Sequence, residues 1–303
     1  MENVVKKQVI DIVNERIIEK MEQGINPWKK NWKTSGGFLL NRPINYVTNQ
    51  SYRGLNLALL DSGYYVSYKQ LQDLGGRIKE GAKPHFVTYS KPTIYKTSQS
   101  VPDSDELEEI EKKGWILRYY WVYALEDCEG YREIKNRQSP IEITYQEENE
   151  IVEAFENVIE DYINRDGVLF CPCEQDRAYY SPMEHKVVVP LLKQFDNSMA
   201  YYQAVFHELG HSTSKHLERE LGKRFESEKY SKEELVAEIC SIYAMNALGV
   251  EEDNNNIAYL QSWASHIKNN ENKYFLYSAM SKAQKAFEYI FNQEEKKEVE
   301  GAI

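Results

Sequence analysis

The sequence predicts an α+β protein of two domains, a small mixed N-terminal domain and a mostly helical C-terminal domain with a small sheet. Three observations carry that expectation. The chain has 303 residues, enough for about two domains. Apolar residues alternate with a period of two in PHFVTYSKPTIYK and GWILRYYWVYALEDCEG, but recur at helical spacing through most of the C-terminal half. Charge divides as well. Residues 1–100 carry 15 Lys and Arg against 8 Asp and Glu, whereas the rest carries 22 against 40. The net charge of −11 therefore conceals a basic segment joined to an acidic one.

Each element has its own local signal. MENVVKKQVIDIVNERIIEKM places Val and Ile at helical intervals between charges, so residues 4–23 form an amphipathic helix and not a signal peptide. YRGLNLALLDSG is a short helix ending at Gly63, and SYKQLQDLGG a second one between a Ser67 cap and Gly75. GGRIKEGAKP reads as a hairpin with glycine turns. The two alternating stretches are strands separated by an acidic insert, PDSDELEEIEKK. The junction falls near Ser139-Pro140, giving domains of residues 1–139 and 140–303. ITYQEENEIVEAFENVIEDYINRDG opens the second domain as a helix, DRAYYSPMEHKVVVP supplies one or two strands, and four helices follow. No run of 18 apolar residues exists, so no membrane span is expected. Four cysteines without a regular framework suit a reducing cytoplasm, and Cys171-Pro-Cys173 lacks a second pair at ligand spacing.

HELGH, residues 207–211, carries the chemistry. Residues four apart stand one above the other on a helix, so His207 and His211 can offer two imidazoles to one ion. Glu208 lies one step round, where a carboxylate can take and return a proton from a water on that ion. The metal expected for such a site is zinc. A third histidine at metzincin spacing is missing, since Ser214 and Leu217 stand where Gly and His would be needed. His216 is one residue short and reads as a polar helix-end residue. YSKEELVAEICSIYAMNALG offers a carboxylate instead. Ser231 and Glu234 read as a capping box, and Glu234 and Glu238 share a helix face. Glu234 is assigned as third ligand and Glu238 as an acceptor orienting a ligating histidine; the spacing leaves the reverse open. Tyr179, Tyr180 and His266 are candidates for stabilising an oxyanion, with Tyr179 and Tyr180 expected on an edge strand that could align a peptide.

The basic segment interleaves aromatic residues with its cations. Trp28, Lys29, Lys30 and Trp32 sit together, Tyr52 and Arg53 follow, and Lys69, Lys79 and Lys83 come later. Stacking surfaces beside phosphate-pairing cations are what single-stranded nucleic acid requires.

HELGHS, FESEKYSKEELVAEI, NKYFLYSAMSKAQKAFEYI and DRAYYSP followed by VVVP resemble the zincin-like domain of ArdC-type antirestriction proteins. NPWKKNW, YRGLNLALL and SYKQLQDLGGRIKEGAKP resemble the single-stranded-DNA-binding domain of that family. Relatives include LtrC-like and plasmid primase-associated proteins. The resemblance spans nearly the whole chain and departs from the family around Ser100–Lys113 and in SKHLERE after His211. It implies a gluzincin-like zinc domain joined to a single-stranded-DNA-binding domain, carried on a mobile element. A protein or peptide substrate is compatible with the metal motif, and nothing in the sequence names one.

Overall fold

The computed structural model describes residues 8–28, 42–61, 63–100, 107–134, 148–222, 228–250 and 257–292. Helix α1 spans Val9–Glu22 and buries Ile10, Val13, Ile17 and Met21, one stripe at intervals of three and four residues. Short elements follow: β1 (Pro43–Asn45), α2 (Asn56–Leu59), β2 (Gly63–Ser67) and α3 (Tyr68–Asp73). The α2 helix fills only the middle of the stretch expected to be helical, and Gly63 opens a strand at a φ of +126°. The Ser67 side chain accepts the Gln70 N–H while the Gln70 side chain accepts the Ser67 N–H, a reciprocal cap for α3.

Next come β3 (Arg77–Ile78), β4 (His85–Ser100), β5 (Leu107–Ala124) and β6 (Cys128–Glu129). The expected hairpin at GGRIKEGAKP does not form. β3 pairs instead with β6, about fifty residues away in sequence, with Arg77 bonded to Glu129 at 2.8 Å. Likewise, residues 107–113 are strand rather than insert: β4 and β5 pair without a break from His85↔Val122 to Ser100↔Leu107. A four-stranded sheet results, in the order β1-β2-β5-β4, with β1 parallel to β2 and the other pairs antiparallel.

The C-terminal half contains α4 (Glu148–Asp166) and strands β7 (Leu169–Cys173), β8 (Tyr179–Ser181) and β9 (Lys186–Pro190). These form a sheet in the order β7-β9-β8, which leaves β8 on an edge. Helices α5 (Ser198–Ser212), α6 (Glu228–Ala247), α7 (Ile257–Asn269) and α8 (Phe275–Ile290) complete it. Ser231 is not a cap, because α6 is already helical at Glu228. The architecture is α+β, and no described helix is long and apolar enough to cross a membrane.

One hydrophobic cluster runs through both halves. The buried stripe of α1, Trp28, Leu57, Phe86 and Leu117 join Phe155, Phe206, Tyr243 and Phe287 in it, and α1 packs along α7. Polar contacts reinforce the seam: Arg42 and Arg53 both pair with Glu288, and the Ser90 and Tyr277 hydroxyls lie 2.8 Å apart. The expected junction at residues 139 and 140 lies outside the described residues.

Candidate metal centre

The centre sits between α5 and α6, and a glycine lets those helices approach. A Cβ on Gly210 would stand 3.2 Å from Ala237 Cα and 3.4 Å from Cys240 Cβ, so a side chain there would press α6 away by a few tenths of an ångström. Asn197 caps the start of α5 by accepting the Ala200 N–H. Val205, Phe206 and Leu209 anchor the opposite side in the core.

This packing brings His207, His211 and Glu234 together, with one donor atom from each within 4.8 Å of the others. The His207 Nε2 and His211 Nε2 atoms face the two oxygens of Glu234 at 3.6 and 3.7 Å. Those separations exceed a hydrogen bond. They approach the roughly 3.3 Å edge that separates donors placed about 2.05 Å from a tetrahedral ion. Each imidazole has a carboxylate behind it: Glu238 lies 3.5 Å from His207 Nδ1, and Glu233 3.6 Å from His211 Nδ1. A ligating histidine generally presents its second nitrogen to such an acceptor, which fixes ring and tautomer. The buried His211 Nδ1 has no closer partner among the described residues.

Electrostatics matches this arrangement. Burial alone would lower the His207 pKa, but Glu234 and Glu238 overcome it and raise the imidazole to about 10. Burial would raise Glu234, yet the two histidines and Tyr230 bring it down to about 2. The Glu208 carboxyl is buried, and that burial pushes its pKa above the ordinary range despite the histidines beside it and a hydrogen bond from the Tyr180 backbone. A cluster this rich in carboxylates attracts a cation, and its donor set of two imidazoles and one carboxylate suits a divalent metal.

Glu233 and Arg219 have no place in the reading of the sequence. Arg219 grips both Glu233 oxygens, at 2.7 and 3.1 Å, and also bonds the Gly210 carbonyl and the Thr213 hydroxyl. It comes from SKHLERE, the stretch that departs from the family pattern. The adjacent Glu-Glu pair was a visible signal for Glu233, but only the α5–α6 crossing shows which carboxylate faces which ring.

A second polar cluster braces the edge strand. Asp166 Oδ2 accepts from His185 Nε2 at 2.9 Å and from the Tyr162 hydroxyl at 3.3 Å; Oδ1 takes the Tyr289 hydroxyl at 2.7 Å and lies 3.0 Å from His216 Nε2. These are hydrogen-bond distances and both oxygens are filled, so the group reads as a satisfied network. His185 Nδ1 holds the Tyr180 hydroxyl at 2.9 Å, and Tyr180 belongs to β8 beside Glu208. The Tyr180 hydroxyl is therefore engaged away from the ligand set, while Tyr179 is 39 % exposed. His266 packs against Trp263 and Phe275.

The predicted nucleic-acid residues do not form one surface. Trp28 is 2 % exposed and lies in the core, where no base can stack on it. Tyr52 is buried and its hydroxyl takes a hydrogen bond from Asn45. Arg53 is committed to Glu288. Lys69, Lys79 and Lys83 are exposed, with the Lys79 ammonium on the Glu126 carbonyl at 2.6 Å. Lys29, Lys30 and Trp32 lie outside the described residues. All four cysteines are free thiols.

Comparison with known proteins agrees with this geometry. The family model for the N-terminal domain of the anti-restriction factor ArdC matches residues 7–123, and that for a zincin-like metallopeptidase matches residues 157–281. The chain joins an ArdC N-terminal domain to a zincin-like domain. Among solved structures it is similar to the Mn(II)-bound antirestriction ArdC protein of the R388 plasmid. The two are 25% identical with a TM-score of 0.65, over 94% of this chain and 98% of that one. The metal-free form of that protein gives a TM-score of 0.60. The chain is also similar to DNA primase TraC of Escherichia coli, 28% identical over 96% of this chain. The chain spans only 20% or 28% of the two TraC primases it matches. The uncharacterized protein y4eC of Sinorhizobium fredii is 27% identical over 97% of this chain and 96% of its own length.

Proposed function

We propose that this ArdC-type chain is an antirestriction protein of a mobile element, which binds single-stranded DNA and carries a zinc centre with hydrolytic capacity. The residues assigned to the ion are His207, His211 and Glu234, with Glu238 and Glu233 orienting the two imidazoles. The observation that supports this most directly is the two-sided arrangement of the histidines: both Nε2 atoms face Glu234, and each Nδ1 atom faces a carboxylate of its own, Glu238 or Glu233. Bound there, a zinc ion would acidify a water and polarise a carbonyl. Glu208 is assigned the proton. Burial raises its pKa above the ordinary carboxylate range, the direction that makes the carboxylate a better proton acceptor. Edge strand β8, held by Tyr180 and His185, offers an extended peptide a place to pair beside Glu208.

The antirestriction reading follows the R388 protein, which is similar along nearly its full length. DNA as partner rests on the basic N-terminal segment as well as on that likeness. The TraC match favours a second reading, an accessory module of DNA processing whose metal fold need not cleave anything. Two measurements test the proposal. Metal analysis of the purified chain should find about one divalent ion, lost in His211→Ala and retained in Glu208→Gln. Metal retained at full stoichiometry in His211→Ala would remove the ligand assignment. If the accessory reading holds, Glu208→Gln should protect incoming DNA from restriction as well as the wild type does; a loss of protection favours hydrolysis.

A further inference from the structure

Beyond its last pair with β2, Ser67↔Val122, the β4–β5 hairpin continues as a two-stranded ribbon. Its composition differs from that of the chain. Residues 85–100 and 112–124 contain Lys91, Lys96, Lys112, Lys113 and Arg118 and no Asp or Glu, within a chain of net charge −11. They also carry rings largely open to solvent, although Tyr119 and Trp121 each lean on the buried Phe86. Trp115 is 67 % exposed, more than any other described aromatic residue, and Tyr119 and Trp121 are 46 % and 43 % exposed.

Successive side chains of a strand point to opposite faces, so Lys113, Trp115, Tyr119 and Trp121 share one face. The register adds Ile94, opposite Lys113, and Lys96, opposite Glu111, to the same face. Tyr119 and Trp121 meet edge to face with centroids 6.1 Å apart, and Arg16 lies over the Trp121 ring. Lys91, Lys112 and Arg118 fall on the reverse face, where they add to the positive potential without covering the rings.

Half-exposed rings interleaved with cations, with Glu111 confined to the outer end beside Lys96, fit a polyanion that presents unpaired bases. A duplex hides its base faces, and an acidic peptide offers little to stack. We infer that single-stranded DNA lies along this face, with bases on Trp115, Tyr119 and Trp121 and phosphates against Lys96 and Lys113. The inference rests on the DNA-binding reading above and gives it a surface, which Trp28, Tyr52 and Arg53 do not. Glu111 repels phosphate and bounds the site at the far end of the ribbon.

The test is a salt titration of the full-length protein with a fluorescent oligothymidylate and with a duplex of equal length. Trp115→Ala should weaken single-strand binding roughly 5- to 150-fold and leave the log–log salt slope unchanged. Trp115→Phe should recover most of the loss. Alanine at both Lys96 and Lys113 should instead flatten the slope, by about 0.7 for each phosphate contact removed. Because the Trp115 ring is exposed, an unchanged unfolding midpoint shows that the variant still folds. If the wild type binds the oligonucleotide and the Trp115→Ala and Tyr119→Ala proteins bind it equally well, the ribbon is not the site and the DNA reading survives. Equal affinity for the duplex would also overturn stacking on the ribbon. Failure of the wild type to bind single strands at low salt would instead sink the DNA reading itself.

Discussion

The metal centre and the ribbon use polar and aromatic residues in opposite ways. Around His207 and His211, the charged groups sit in a chain of partners, from Glu234 through the rings to Glu233 and on to Arg219, with little exposure. On the ribbon, Trp115, Tyr119 and Trp121 stay largely exposed, even where Phe86 and Arg16 lie against the last two. Burial strengthens each interaction in the centre but leaves an uncompensated charge if one member is removed. Exposure makes the ribbon tolerant of substitution and open to a ligand, with contacts that salt can screen. A stability measurement should therefore see the first region and hardly register the second.

Four substitutions can break or sharpen that contrast. Arg219→Ala strands Glu233 in the interior and should cost about 3–5 kcal/mol of unfolding free energy. Replacing both partners with methionine should recover much of it, and a denaturant titration of the single and double variants reads the difference. Trp28→Ala should cost about the same, 3–5 kcal/mol, since it empties a large core site; a cost near zero would return Trp28 to the surface and to the DNA-binding candidates. Glu238→Gln should lower metal affinity about 10- to 100-fold with little effect on DNA binding, as measured by competition with a chelating dye. If affinity is unchanged, the carboxylate behind His207 does not orient it. The smallest effect is expected for Trp115→Ala, within about 0.5 kcal/mol of the wild-type stability. A large loss there would mean that the ring is covered in solution and would erase the contrast between the two regions.

Helical spacing alone was enough to put His207 and His211 on one face and Glu234 and Glu238 on another, and the structure brings those faces together. The same local logic anticipated the Ser67 cap. It erred wherever the partner was distant. Arg77–Ile78 pairs with Cys128–Glu129 and not with its neighbours, and residues 107–113 became strand because β4 was there to pair them. The alternation of cations and rings also continues past residue 100 into β5, at Lys112, Lys113, Trp115, Arg118, Tyr119 and Trp121.

What the sequence determined by itself was the short-range chemistry: which residues could ligate a metal, which could cap a helix, and where cations and rings are dense. Covalent spacing and helical or strand periodicity are enough for that. Exposure was decided by the tertiary structure alone. Trp28 and Trp115 both sit among lysines in the sequence, yet packing against α1 and the C-terminal helices buries one, while the ribbon's projection beyond β2 leaves the other in water. Pairing was decided the same way, because Arg219, Glu233 and His211 meet only where α5 crosses α6 and the chain returns beside them.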